Sequence, residues 1–269
     1  MADSEASLSL GIWQDSGIAG DIDSNLEIIS EATKRASHCG VDLLVFPECF
    51  LTGYFNGDSA VSVAQQIDQN TVSDLQETAK SNATAILVGY YEAKKTKLYN
   101  SAMLIGADGK ILSNYQKRTL FGDWEHLVFT PGNQHAQVFY KGFKISVLIC
   151  FDIEFPELAR ECAHKGTDLI VVPTSLMAPN DHITNHLVPA RAIENQLYIA
   201  YANRIGREYD LHFIGKSAIF DPLGAELVRA SSDLPELIYA KIFKSVLCDA
   251  RSKFSYLDEV SRIKKSNEF

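Results

Sequence analysis

Apolar residues in this chain gather in short runs separated by segments of helical period. Strand-length runs rich in aliphatic and aromatic residues occupy Leu8 to Trp13, Leu43 to Phe46, Ala85 to Tyr91, Ala102 to Ile105, Lys144 to Ile149, Leu169 to Val172, Tyr198 to Ala202 and Lys216 to Phe220. Between them, Ser24 with Glu27 three positions later has capping-box spacing. It predicts a first helix whose apolar stripe runs through Ile29, Ala32 and Ala36. A second helix is predicted over Val72 to Ser81. A third starts near Pro156, with Leu158, Ala159, Cys162 and Ala163 on one side. Turns fall at 107–109 (ADG), 131–133 (PGN) and 221–224 (DPLG), and the chain between Tyr140 and Phe143 closes a hairpin. Strand and helix patterns recur in both halves with no linker, low-complexity tract or short repeat. The expected architecture is therefore α/β, two sheets stacked inside two helical layers, in one domain covering 1–269. The polar, charged stretch 244–269 reads as a C-terminal arm or tail.

Composition narrows the function. With 46% hydrophobic and 22% charged residues, a chain of 269 can bury a large core. A formal charge of -9, from 25 basic against 34 acidic residues, argues against a nucleic-acid partner. The apolar run Ile145 to Phe151 stops at Asp152, short of the ~18 residues of a membrane span, so no membrane partner is expected. The opening MADSEASL lacks the basic and apolar regions of a secretory signal, which implies a cytoplasmic address. Cys39, Cys49, Cys150, Cys162 and Cys248 are odd in number and form no CxxC pair. A disulfide framework or zinc ribbon is disfavoured, and at least one thiol is free.

Three segments carry candidate chemistry. In FPECFLTGY (46–54), Glu48 ends an apolar strand and should be half buried, which raises a carboxyl pKa toward the range of a general base; a loop carboxylate capping backbone amides is the alternative. In YQKRTLFGDWEHLVFTPG (115–132), Lys117 and Glu125 lie among apolar and aromatic residues, although a lysine taken alone reads as a surface group. In KISVLICFDIEFPELAR (144–160), Cys150 sits between an apolar strand and a helix-starting proline, like a nucleophile elbow. Such a turn leaves nearby amides, including that of Phe151, facing a developing oxyanion. A buried structural thiol is the alternative reading of Cys150.

Glutamate, lysine and cysteine in this order, within FPE…TGY, YQK and ICFDIEFPE, resemble the nitrilase superfamily of carbon–nitrogen hydrolases. The LGIWQ strand, the TPG turn, VVPTS and ARAIENQLYIAYANRIG extend that resemblance over nearly the whole chain. It implies a four-layer α-β-β-α sandwich of the nitrilase type that assembles as a homodimer or higher homo-oligomer. It also implies a catalytic set of Glu48, Lys117 and Cys150 with a second glutamate at Glu125, for which Asp123 is a nearby rival, and no cofactor or metal. CFDIEFPE is most similar to the branch containing 5-aminopentanamidase-like and stereoselective amidases, and Tyr54 and Ser175 fall in segments that border the substrate pocket in relatives. Some relatives carry asparagine where this chain has Ser175. The implied reaction is hydrolysis of a small aliphatic or amino-substituted amide through a Cys150 thioester. Nitrile or N-carbamoyl hydrolysis by the same set, and a non-catalytic scaffold, are the alternatives.

Glu125, Asp123 and Asp152 would favour a substrate bearing an amine. Arg191, Glu194 and Asn195 read either as a charged group bracing the substrate loop or dimer surface, or as a solvated helix face. His182 and His186 have a metal-binding i, i+4 spacing with Asp181 nearby, but no HExxH glutamate accompanies them and Pro189 interrupts a long helix there. A papain-like Cys-His pair lacks a supporting signature, as do dinucleotide, phosphate-loop and serine-hydrolase readings.

Overall fold

The strand-forming runs pair into two six-stranded sheets. The computed structural model describes residues 6–253 and 256–266. In the first sheet the order is Glu236–Phe243, Ser7–Gln14, Leu43–Val45, Ala85–Lys94, Lys97–Ile105 and Ile111–Gln116. Its three inner strands Ser7–Gln14, Leu43–Val45 and Ala85–Lys94 are parallel. The second sheet runs Glu226–Arg229, Ala218–Phe220, Tyr198–Asn203, Leu169–Thr174, Phe143–Val147 and Gln137–Tyr140, again with three parallel strands, Tyr198–Asn203, Leu169–Thr174 and Phe143–Val147. Ile205–Glu208 and Leu211–Ile214 form a separate hairpin.

Continuous apolar strands bury both faces, as a layered fold requires. Leu43, Val45, Ala85 and Leu87 share one core with Ile145, Val147, Leu169 and Val171 of the other sheet. The alternate residues Leu44, Phe46, Ile86 and Val88 pack on Ile29, Ala32, Ala36, Leu75 and Ala79, from helices Ile22–His38 and Gln69–Ser81. Helices Pro156–His164 and Val188–Asn195 contribute Leu158, Ala159, Cys162, Val188 and Ala192 to the core of the second sheet. The result is the α-β-β-α sandwich.

Several boundaries differ from expectation. The first helix is capped by Asp21, whose carboxylate accepts from the Ser24 amide at 3.1 Å and the Ser24 hydroxyl at 2.8 Å, so Ser24 lies inside the first turn. A carboxylate also complements the positive end of the helix dipole, which a hydroxyl does not. The second helix begins at Gln69, under an Asp68 cap. The strand expected from Lys216 begins only at Ala218, because Lys216 has φ 58°. The 140–143 hairpin turns on Lys141 and Gly142, at φ 45° and 87°, and pairs Tyr140 with Phe143. Of the charged stretch 244–269, Lys244–Lys253 is a helix that buries Leu247 and Ala250, with Arg251 Nη2 on Thr167 O at 2.9 Å. Tyr256–Ser266 is a further helix, and residues 254–255 and 267–269 lie outside the described residues.

Candidate active site

The site forms where chain leaves the ends of strands in both sheets. After Leu43–Val45, the segment around Glu48 crosses beneath Gly89. A Cβ on Gly89 would sit 2.4 Å from Cys49 N and 2.9 Å from Pro47 O, so only glycine permits this approach. Lys117 follows the edge strand Ile111–Gln116. Its amide donates to Asn100 O at 2.8 Å and its carbonyl accepts from Gly132 N at 2.7 Å. Gly132 is the glycine of the TPG turn and lies so close that a Cβ would meet Gln116 O at 2.3 Å. Cys150 follows Phe143–Val147 and opens the short 3-10 turn Cys150–Glu154, just ahead of the Pro156 helix. Its φ of 48° is a left-handed conformation that costs a non-glycine residue ~1–2 kcal/mol, in keeping with the elbow expected from the sequence. Phe151 is the second residue of that turn, where helical amides lack an intrahelical acceptor.

Side chains from these segments meet in a buried polar centre. Lys117 Nζ donates to Glu48 Oε1 and Glu125 Oε1, both at 2.8 Å, and all three side chains are closed to solvent. Glu48 is thus fully buried, beyond the half-burial expected of a strand-end carboxylate, with the Lys117 ammonium as its partner. Glu125, from the helix Gly122–Val128, also accepts from the Tyr54 hydroxyl at 2.8 Å and the Phe121 amide at 2.9 Å. Asp123 is exposed on the same helix, so Glu125 is the second acid of the centre. A lysine ammonium has three donors and two are engaged here, leaving one N–H. Burial pushes the Lys117 ammonium toward release of its proton, but the two carboxylates outweigh this and hold its pKa well above the ordinary value.

Glu48 Oε2 is buried and has no hydrogen-bond donor among the described residues, while Oε1 takes Lys117 and Asn100 Nδ2, the latter at 2.8 Å. Burial raises the Glu48 carboxyl's pKa, with Lys117 opposing and Glu125 reinforcing the rise. Burial likewise pushes the Cys150 thiol well up, helped by the Glu48 charge and opposed by Lys117 and a hydrogen bond from the Ser175 backbone. The sulfur therefore rests as a thiol.

A cavity of about 130 Å³ lies over Cys150, lined among others by Tyr54, Phe121, Glu154, Ser175, Met177 and His182. Tyr54 and Ser175 both reach it, Ser175 with its hydroxyl 3.4 Å from Glu48 O. Asp152 does not serve as a recognition carboxylate: it is fully buried and accepts from Thr119 N and Oγ1, Ile149 N, Arg118 N and Tyr115 Oη. Arg191 forms the expected charged pair with Glu194 at 3.1 Å, and its guanidinium donates to Ile153 O at 3.1 Å and Glu154 O at 2.7 Å, pinning the Cys150–Glu154 turn beside the cavity. Asp181 binds Lys216 at 3.1 Å, and no group of three or more metal-ligating side chains occurs among the described residues.

Sequence reasoning missed Asn100, which fixes Glu48 Oε1, and the buried Arg204, whose Nη1 reaches Glu48 O at 3.3 Å. It also missed Glu208, which accepts from the Tyr54 and Phe55 amides. Each acts across a long sequence separation, and no local pattern announces it.

The carbon-nitrogen hydrolase family profile matches residues 9–251. The chain belongs to the carbon-nitrogen hydrolase family. It is 33% identical to an (R)-stereoselective amidase of a Pseudomonas species over 84% of this chain and 82% of that protein. It is 38% identical to a nitrilase of Pyrococcus abyssi over 82% and 84% of the two chains. Among solved structures, a Glu-to-Gln variant of the amidase from Nesterenkonia sp. AN1, showing Michael addition of acrylamide at its active-site cysteine, superposes with a TM-score of 0.84 at 31% identity. That match covers 91% of this chain and 97% of the other. This carbon-nitrogen hydrolase thus shares both its sheet architecture and its family with enzymes of amide chemistry.

Proposed function

We propose that the chain hydrolyses a small aliphatic or amino-substituted primary amide to a carboxylate and ammonia through a Cys150 thioester. The observation that carries this reading is Glu48 Oε2, a buried carboxylate oxygen without a donor in a centre where the other contacts are made. Leaving such an atom unsatisfied costs about 1–3 kcal/mol. A scaffold that had kept only the fold has no use for it, whereas a proton acceptor for a thiol needs it.

Cys150 Sγ attacks the amide carbon as its proton passes to Glu48 Oε2. The remaining N–H of Lys117 and the Phe151 amide hold the oxyanion. Glu48 then gives its proton to the departing nitrogen, the C–N bond breaks and ammonia leaves. Water adds to the thioester with its proton taken by Glu48; collapse releases the acid and returns a proton to sulfur. Glu125 and Tyr54 hold Lys117 in place, and Ser175 borders the acyl group. The Nesterenkonia variant's acrylamide adduct supports an electrophile-accessible cysteine in this fold.

Nitrile hydrolysis by the same set is the second reading, favoured by the name of the Pyrococcus relative. We further read the whole chain as one catalytic domain with 244–269 as its arm, working as a cytoplasmic homodimer. The five free thiols support a reducing compartment, and the family resemblance supports the dimer. No described helix is long and apolar enough to cross a membrane. The test is ammonia release from aliphatic amides, ω-amino amides, carbamoyl amino acids and nitriles, with intact-mass detection of an acyl group on Cys150. Cys150→Ala should lose turnover and keep its circular dichroism. Turnover of nitriles alone, or amide hydrolysis by Cys150→Ala, overturns the reading.

A further inference from the structure

The chemistry proposed above leaves one charged residue of the cavity without a task. Glu154 lines the cavity with Cys150, four residues further along the same short turn. Among the described residues its carboxylate makes no hydrogen bond or ion pair, and only its backbone carbonyl is held, by Arg191. The neighbouring cations are committed elsewhere. Lys117 bridges Glu48 and Glu125, and Arg191 is engaged by Ile153 O, Glu154 O and Glu194. His182, exposed at the cavity, is the remaining titratable group beside it. Burial holds the Glu154 carboxyl above its ordinary range, against the pull of His182, Lys117 and Arg191, so a cation brought to it would relieve an unpaired charge. Three carboxylates, Glu48, Glu125 and Glu154, thus lie near Cys150, and the two cations beside them, Lys117 and Arg191, are already engaged.

Size narrows what that cation belongs to. A cavity of 150 Å³ accepts benzene, so about 130 Å³ suits roughly six non-hydrogen atoms. Cys150 and Glu154 line the same cavity, and six non-hydrogen atoms are those of a primary amide whose ammonium stands two methylenes from the carbonyl carbon. Leu176, Met177 and Ile183 supply apolar lining for the methylenes.

We propose that Glu154 is the specificity-determining residue, selecting short primary amides that carry an ammonium group two or three carbons from the carbonyl. The assignment rests on the amidase reading. It keeps the amine preference expected from the sequence but moves it from Glu125, Asp123 and Asp152, which are buried in other bonds or exposed, to a carboxylate that lines the cavity.

The test compares kcat/KM at pH 7.5 for 3-aminopropanamide, its neutral isostere butyramide and the anionic succinamate. A charged hydrogen bond predicts that the wild type favours 3-aminopropanamide over butyramide by about tenfold or more. In Glu154→Gln that ratio should fall to near unity, and Glu154→Lys should move the preference toward succinamate. Butyramide hydrolysed as well as or better than 3-aminopropanamide by the wild type overturns the assignment alone, without need of any variant. So does a Glu154→Gln protein that keeps the wild-type ratio. No hydrolysis of any of the three amides, with no acyl mass on Cys150, overturns the amidase reading and this assignment with it.

Discussion

Replacing Lys117 by methionine removes one charge from a buried triad and keeps an unbranched side chain one atom shorter, ending where the lysine Cε stood. The ammonium lies 2.8 Å from an oxygen of each of two carboxylates, and none of the three is exposed. Without it, Glu48 and Glu125 face each other with no counter-charge. Removing one partner of a buried ion pair costs about 3–5 kcal/mol. At about 2 °C per kcal/mol for a chain of this size, melting should fall by roughly 6–10 °C at pH 8. The pH dependence has a definite sign. Lys117 lowers the Glu48 pKa against the upward push of burial, so its removal raises that pKa further. A carboxyl whose folded pKa lies above its unfolded value of ~4.3 loses stability as pH rises from the unfolded pKa through the folded one. The deficit of Lys117→Met should therefore shrink between pH 8 and pH 5, and adding Glu125→Gln should recover part of it at pH 8. Thermal unfolding followed by circular dichroism at both pH values measures this. A deficit no larger than the ~1 kcal/mol of an exposed pair, or one equal at the two pH values, refutes the buried-triad argument.

Four other outcomes follow from the same geometry. Lys117→Met should lower kcat by about 10²–10³, the usual effect of losing an oxyanion donor, in single-turnover assays on a primary amide. The acid limb of kcat/KM should lie above the ordinary glutamate range, since Glu48 must be ionised to accept a proton and burial raises its pKa. Glu125→Gln removes a like charge and should move that limb to lower pH in a full pH profile. Glu48→Gln should abolish amide hydrolysis and slow iodoacetamide alkylation of Cys150 at pH 7.5, because the buried thiol then lacks its proton acceptor; alkylation as fast as in the wild type counts against Glu48 as the base. Gly89→Ala should destabilise by about 1–3 kcal/mol and lower kcat more than it changes KM, since its Cβ would displace the backbone beside Glu48, 2.4 Å away at Cys49 N.

What the sequence made legible divides along physical lines. The inner parallel strands and their helices could be read because both faces are buried, so runs such as Leu43 to Phe46 and Leu169 to Val172 are apolar throughout. The outer strands Ile111–Gln116 and Glu226–Arg229 were not, because they are largely exposed and carry mixed side chains. Glu236–Phe243 escaped for a related reason: it lies at the sheet edge and only part of its length is buried. Cys150, Glu48 and Lys117 became legible only through their company in a family pattern: the strand, turn and proline around Cys150 fit a nucleophile elbow but also a buried structural thiol, and a strand-end glutamate and a lysine have common structural uses. Asn100, Arg204 and Glu154 gave no signal, because each acts through folding that brings distant segments together or through the cavity it faces.

The site needs this long-range bonding because its parts belong to different sheets. Glu48 and Lys117 leave the first sheet and Cys150 leaves the second, while the shared apolar core between the sheets is non-directional and cannot fix their mutual position. Buried polar contacts do. Asp152, two residues after Cys150, accepts from the Thr119 amide at 2.8 Å, the Tyr115 hydroxyl at 2.8 Å and the Ile149 amide at 3.0 Å. It thereby ties the Lys117 segment to the Cys150 turn. Thr174 O receives the Glu48 amide at 3.4 Å, and Arg204 reaches Glu48 O while holding Ser16 O. Burial raises the Asp152 pKa in spite of these bonds. A hydrophobic group there would pack as well, but it would leave the ammonium and the sulfur free to drift apart.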